Sequence, residues 1–149
     1  MILFCDIDGV LADNTHRLGQ MKKKNYKRFY SAKAVSKDTL IEAGSKMSRA
    51  IGSDMCNRIV LVTGRNECCK EATLEWLTKN DVWYDQIVFR PKNDWRPSPT
   101  FKKEKVAQYM QFVPVGTKAI FIDDDPENVK AVCSLPYDIT GITFGTSRF

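Results

Sequence analysis

The chain has 149 residues, a formal net charge of +5, and 43% hydrophobic against 28% charged residues. That describes one ordinary soluble domain, and no apolar run reaches the roughly 18 residues needed to cross a bilayer. Five cysteines without CxxC spacing and a single histidine argue against a disulfide scaffold or a zinc module, and read as reduced thiols filling core space.

The N-terminal run MILFCDID has no basic leader region and no small-residue cleavage site, so a cytoplasmic protein is expected. Residues 2–7, ILFCDI, are continuous in hydrophobicity, as in a strand buried on both faces. The strand ends on Asp6 and Asp8, followed by Gly9 and later Asp13. Clustered carboxylates at the end of a core strand need a partner for their charge.

The next segment is basic. From Asn14 to Lys37 there is no acidic residue, and eight basic ones occur: Arg17, Lys22, Lys23, Lys24, Lys27, Arg28, Lys33 and Lys37. Without those eight, the 23 basic residues of the chain fall below its 18 acidic ones, so the whole positive excess sits here. Tyr26, Phe29 and Tyr30 are interleaved with it. Such a segment attracts phosphate polymers or nucleotides, or forms a solvated amphipathic helix with its aromatics buried.

A helix is expected over 39–51, then a strand over 58–63, RIVLVT, ending at Thr63-Gly64-Arg65. A second helix over 66–79 is capped by Asn66, with Glu67 in its first turn and Cys69, Ala72, Trp76 and Leu77 on its apolar side. A strand at 86–90, QIVFR, leads into the proline-rich loop PKNDWRPSP at 91–99 and a helix at 101–111. The strand KAIFID at 118–123 ends on Asp123, Asp124 and Asp125, and Pro126 opens a helix over 126–134. GITF at 141–144 is a weaker fifth strand. Trp76, Trp83 and Trp95 read as core or loop packing, and His16 as structural.

Strand–helix alternation predicts an α/β fold, a Rossmann-like doubly wound parallel sheet, as a single domain over 1–149 with a basic insertion or small cap near 14–37. Ligands bind at the carboxyl ends of such strands. Up to five carboxylates, one hydroxyl and one guanidinium are delivered to that edge, and oxygen donors without histidine or thiolate suit Mg2+.

FCDIDGVLAD at 4–13 resembles the first motif of the haloacid dehalogenase (HAD) superfamily, a strand followed by DxDGTL or DxDGVL. LVTGR at 61–65 resembles the second motif, and IFIDDDPENV at 120–129 the fourth. Within that superfamily, ADNTHR, VTGRNE, YDQIVFRPKNDWRPSPTFKKEKV and IDDDPENV are similar to the 3′-phosphatase domain of phage-type polynucleotide kinase-phosphatases. No GxxxxGK(S/T) phosphate loop is present, so no kinase half is expected in this chain.

The resemblance implies a Mg2+-dependent phosphomonoesterase with no cap or a very small one, acting on polynucleotide 3′-phosphate ends or on nucleotides. Asp6 would be the nucleophile, forming an aspartyl-phosphate, and Asp8 the general acid and base. Thr63 would hydrogen-bond a phosphoryl oxygen. Asp6, the backbone carbonyl of Asp8 and one or both of Asp123 and Asp124 would hold Mg2+, with Asp124 the more direct ligand. The family's lysine falls on Lys102, Lys103 or Lys105; the spacing from Arg96-Pro97 favours Lys102, and a one-residue slip to Lys103 would turn the side chain by about 100°.

Arg17, Gly64, Arg65 and Arg96 would bind substrate. One departure stands out: an Arg-Pro-Asp triplet is expected where this chain reads Arg96-Pro97-Ser98. A separate kinase or ligase is the partner such a phosphatase would have, with no membrane partner. The competing readings are a non-catalytic nucleic-acid-binding module on the same fold, and a phosphatase for an unrelated small metabolite.

Overall fold

The structure is a computed structural model that describes residues 1–145. Among these, five parallel strands form one sheet: β1 (Ile2–Cys5), β4 (Arg58–Asn66), β5 (Gln86–Arg90), β6 (Ala119–Asp123) and β7 (Ile139–Thr143), in the order β5-β4-β1-β6-β7. The sheet is buried on both faces because its residues alternate between two cores. Leu3, Cys5, Ile59, Leu61, Ile120 and Ile122 join Trp76 and Leu77 on one face. Ile2, Phe4, Val60, Val62 and Phe121 join Val106, Met110 and Val132 on the other. Hence the central strands β1, β4 and β6 read as apolar runs with no polar alternation, whereas the edge strand β7 is part exposed. Helices α4 (Glu42–Asp54) and α5 (Lys70–Lys79) supply the first face, and α6 (Ser98–Met110) and α7 (Pro126–Cys133) the second.

The chain moves outward from β1 to β4 and β5, then crosses back to β6 and β7 on the other side. The order therefore reverses between β1 and β6, which pair directly, Cys5 opposite Ile122. Such a reversal opens a crevice at the carboxyl ends of the two strands. Asp6 and Asp123 stand at its two lips.

The basic segment leaves the sheet as an insertion. It is closed at its base by a two-stranded antiparallel pair, β2 (Ala12–Asp13) and β3 (Thr39–Leu40), with Asp13 opposite Thr39. Between them lie a single 3-10 turn (Thr15–Arg17) and three short helices, α1 (Leu18–Lys22), α2 (Tyr26–Phe29) and α3 (Ala32–Val35). Asn25 and Ser31 cap α2 and α3 by accepting from Arg28 N and Ala34 N. The helix expected over 39–51 thus begins three residues later, at Glu42, because residues 39–40 are spent on the stem. Gly44 lets α4 lie against the loop after β1: a Cβ there would sit 1.7 Å from the Val10 carbonyl oxygen.

The remaining elements fall within a few residues of expectation. Asn66 caps a 3-10 turn (Glu67–Cys69) ahead of α5, accepting from Cys68 N at 3.0 Å. Asp125 caps α7, accepting from Glu127 N at 2.9 Å, with Pro126 at the first helical position. All five cysteines are free; Cys5 and Cys69 are core filler, whereas Cys68 and Cys133 are exposed. No helix among the described residues is long and apolar enough to cross a membrane.

Candidate active site

The first strand delivers its carboxylates through a tight turn. Leu11 N and Ala12 N both donate to the Ile7 carbonyl, at 2.8 and 2.9 Å, folding the chain back immediately after Asp8. Gly9 makes the turn at φ +83°, a left-handed conformation that side chains disfavour. A Cβ at Gly9 would also lie 2.1 Å from Oδ2 of Asp124. The glycine therefore lets the first and fourth motifs close on each other.

At the crevice, ligand oxygens of Asp6, Asp123 and Asp124 lie within 4.8 Å of one another. Lys102, on α6 and 2% exposed, reaches between them: its Nζ is 2.9 Å from Asp6 Oδ1 and donates to Asp123 Oδ2 at 2.6 Å. Burial disfavours that ammonium, but Asp6 and Asp123 more than offset it and hold it charged. Lys103, one step round the helix, is exposed. Of the three lysines, then, the fold brings Lys102 to the carboxylates.

One ammonium does not balance three carboxylates. Burial pushes the Asp6 carboxyl well above its ordinary range despite Lys102, with Asp123 and Asp8 adding to the rise. Asp124 is pushed up to about 6 by burial and by Asp123. A compact set of oxygen donors with surplus negative charge fits a hard divalent cation such as Mg2+. Asp123 is the most heavily committed of the three: besides Lys102 it accepts from Asp125 N at 2.9 Å and from Asn128 Nδ2 at 3.1 and 3.2 Å.

A second cluster lies beside the first. Arg65 donates to Asp8 through Nε (3.1 Å) and Nη2 (2.7 Å), to Asp38 through Nη2 (2.7 Å) and to Thr73 Oγ1 through Nη1 (3.1 Å). Arg17 donates to Asp38 through Nε and Nη2, both at 2.9 Å, and to the Phe29 carbonyl through Nη1 at 3.1 Å; its Nη2 is 3.5 Å from Asp8. His16 Nε2 is 2.7 Å from Asp38 Oδ1, and Trp76 Nε1 donates to the Asp38 carbonyl at 2.8 Å.

Two buried guanidiniums are thus shared between two carboxylates, Asp38 fully enclosed and Asp8 a quarter exposed. Both guanidiniums are buried, and through these bonds they hold Asp8 and Asp38 together at the base of the insertion. Asp38, Thr73 and Asn128 escaped the sequence reading altogether. Only the end of the acid-free run one residue before Asp38 could have drawn notice to it.

Thr63 is buried, its Oγ1 accepting from Arg65 N at 3.0 Å, and a Cβ on Gly64 would meet nothing within 4 Å. Arg96 is exposed and paired with Asp94 and Glu104. Near Ser98, the negative charge beside Arg96 is that of Asp94. It takes Arg96 Nη2 at 2.7 Å, while Lys102 is positioned by Asp6 and Asp123.

The polynucleotide kinase PNKP phosphatase-domain family model matches residues 1–132. The chain belongs to that family. As a member of it, the protein is a phosphohydrolase of the HAD type, and the sheet and crevice above are the HAD fold. No curated protein matches the sequence. Two solved chains from Pnkp1/Rnl/Hen1 complexes, one described as an RNA repair complex, each share 20% identity over 99% of this chain, with TM-scores of 0.72 and 0.74. This chain spans only 43% and 47% of their lengths. A HAD-like hydrolase from Streptococcus pneumoniae has 13% identity and a TM-score of 0.64, covering 93% of this chain and 82% of that one.

Placement of Lys102 gives this phosphatase a direct test. Lys102→Met should lower phosphate release at least about 100-fold, the scale on which one oriented electrostatic donor acts. Lys103→Met should stay within about two-fold of wild type, as an exposed neighbour. The reverse pattern in a steady-state assay would return the role to Lys103.

Proposed function

We propose that the protein is a Mg2+-dependent 3′-phosphatase of polynucleotide ends that works through an aspartyl-phosphate on Asp6. The observation that carries this reading is the Lys102 ammonium seated between Asp6 and Asp123 at the topological switch point, beside Asp124. It leaves Asp6 oriented as a nucleophile in a site built to offset negative charge.

In the first half-reaction an Asp6 oxygen attacks phosphorus, the bond to the ester oxygen breaks, and Asp8 gives its proton to the leaving alcohol. In the second, Asp8 takes a proton from water, which attacks the aspartyl-phosphate; inorganic phosphate leaves and the Asp6 carboxylate is restored. Asp6, Asp124 and the backbone carbonyl of Asp8 would hold Mg2+, which when bound would help neutralise the phosphoryl charge. By the family resemblance Asp124 is the direct ligand, and Asp123 stands behind it, holding Lys102 and Asn128. Thr63 and the open space at Gly64 receive the phosphoryl oxygens. Arg17 and Arg65 hold Asp8 in place, and its partial exposure gives it access to the substrate oxygen.

The insertion is short, held between Ala12–Asp13 and Thr39–Leu40, and its exposed basic residues attract a polyanion. A Pnkp1-containing repair complex among the structural neighbours fits a separate kinase or ligase as partner. The test is phosphate release with Mg2+ from a 3′-phosphorylated oligonucleotide and from a nucleoside 5′-monophosphate. Faster hydrolysis of the oligonucleotide, with a KM that rises with salt, is expected. Preference for the mononucleotide would make the protein a nucleotidase, and release from neither would leave a binding module.

A further inference from the structure

The proline-rich loop after β5 and the insertion after β1 both rise from the carboxyl edge of the sheet, and they meet through two rings. Tyr26 on α2 and Trp95 in the loop stack with centroids 5.6 Å apart and planes tilted by 55°. Neither is core: Trp95 is 68% exposed and Tyr26 37%. Of core and loop packing, Trp95 is therefore the latter. A large apolar ring presented to water needs a reason, and loop disorder is not one. Arg90 Nη1 donates to the carbonyls on both sides of Trp95, Asp94 at 3.2 Å and Arg96 at 2.7 Å, while its guanidinium stacks on Phe101 at 4.5 Å. Asn66 Nδ2 donates to the Lys92 carbonyl at 3.3 Å, tying the start of the loop to the end of β4. The indole is held out on a fixed backbone.

The platform's segment also reaches the buried cluster: one turn beyond Tyr26, Tyr30 packs edge-on against Phe29 with centroids 4.8 Å apart, and the Phe29 carbonyl accepts from Arg17 Nη1 at 3.1 Å. Around the exposed end stand Lys23, Lys24, Lys27 and Arg28, with Lys92 three residues before Trp95, all exposed.

We propose, building on the 3′-phosphatase reading, that Trp95 and Tyr26 form a base-stacking platform for the nucleotides preceding the reacting 3′-phosphate, with the surrounding lysines and arginine following the strand. Exposed aromatics interleaved with cations are the pairing that single-stranded nucleic acid uses: rings take base faces, cations take phosphates. A mononucleotide in the crevice would have no base to place there, so the platform is the element that selects a polymer.

The test compares wild type, Trp95→Ala and Trp95→Phe on p-nitrophenyl phosphate, on a 3′-phosphorylated oligonucleotide, and on the same oligonucleotide made abasic in turn at each position near its 3′ end. Trp95→Ala should raise KM for the intact oligonucleotide roughly ten-fold, the scale of one base–aromatic stack, with kcat unchanged. Hydrolysis of p-nitrophenyl phosphate should not change, and Trp95→Phe should recover most of the loss. At one abasic position wild type should fall to the level of Trp95→Ala, erasing the difference between them. A wild type that prefers the oligonucleotide while Trp95→Ala keeps its KM, or loses equally on all substrates, overturns the platform and leaves the phosphatase reading standing. A wild type that does not prefer the oligonucleotide over the small ester overturns the polynucleotide reading, and the platform with it.

Discussion

Asp6→Asn should abolish Mg2+-dependent phosphate release while leaving the chain folded. The amide keeps the shape of the carboxylate but cannot attack phosphorus at a useful rate, so a loss of roughly 10^4-fold or more is expected, as for nucleophiles in covalent catalysis generally. The fold should tolerate the change. Lys102 retains Asp123 at 2.6 Å, and the substitution removes one of three mutually repelling carboxylates. Thermal melting without metal should therefore be unchanged or slightly raised. In wild type, Mg2+ should raise the melting temperature through binding to the folded state alone; in Asp6→Asn that rise should shrink. Full activity in the variant would remove Asp6 as nucleophile. An undiminished Mg2+ effect on melting would remove it as a ligand.

Asp38→Ala should be the most destabilising single change in the molecule. Asp38 is fully enclosed and balances two buried guanidiniums, those of Arg17 and Arg65. Breaking a buried pair by removing one partner costs about 3–5 kcal/mol, because the other charge stays behind without compensation. For a chain of this size that lowers the melting temperature by on the order of 10 °C. Lys37→Ala, one residue away and exposed, should change stability by no more than about 0.5 kcal/mol. Activity should fall as well in whatever fraction of Asp38→Ala remains folded. With Asp38 gone, Arg17 and Arg65 lose the carboxylate that fixes them, and with it the geometry in which they hold Asp8. A normal melting curve for Asp38→Ala would show that the network is not what fastens the insertion to the sheet.

The legible part of this protein lay along the strands. Ile2–Cys5, Ile59–Val62 and Ala119–Ile122 are buried on both faces, so their burial is written locally as unbroken apolar runs. Their carboxyl ends could be found by eye, because Asp6, Asp8 and Asp123 to Asp125 interrupt those runs with charge. Alternation with helices places those ends on one edge of the sheet. The stem of the insertion was misread as the start of a helix. Residues 39–40 are too short to show a period of two, and their pairing partners lie at 12–13.

The sequence by itself, then, determined a doubly wound sheet, a carboxylate-lined edge and a concentrated basic segment, since each is a property of consecutive residues. The tertiary structure decided which groups meet there. Lys102 and Lys103 are equivalent as letters, and only the rotation of α6 against β1 and β6 turns the first inward. Asp38 is one acidic residue in an ordinary context, and its value comes from Arg17, 21 residues away, and Arg65, 27 away. Trp95 is exposed because its loop is held by Arg90 and pressed against Tyr26 from a different crossover. Such contacts join segments far apart in the chain, and side-chain charge or size at one position carries no record of what the fold will place beside it.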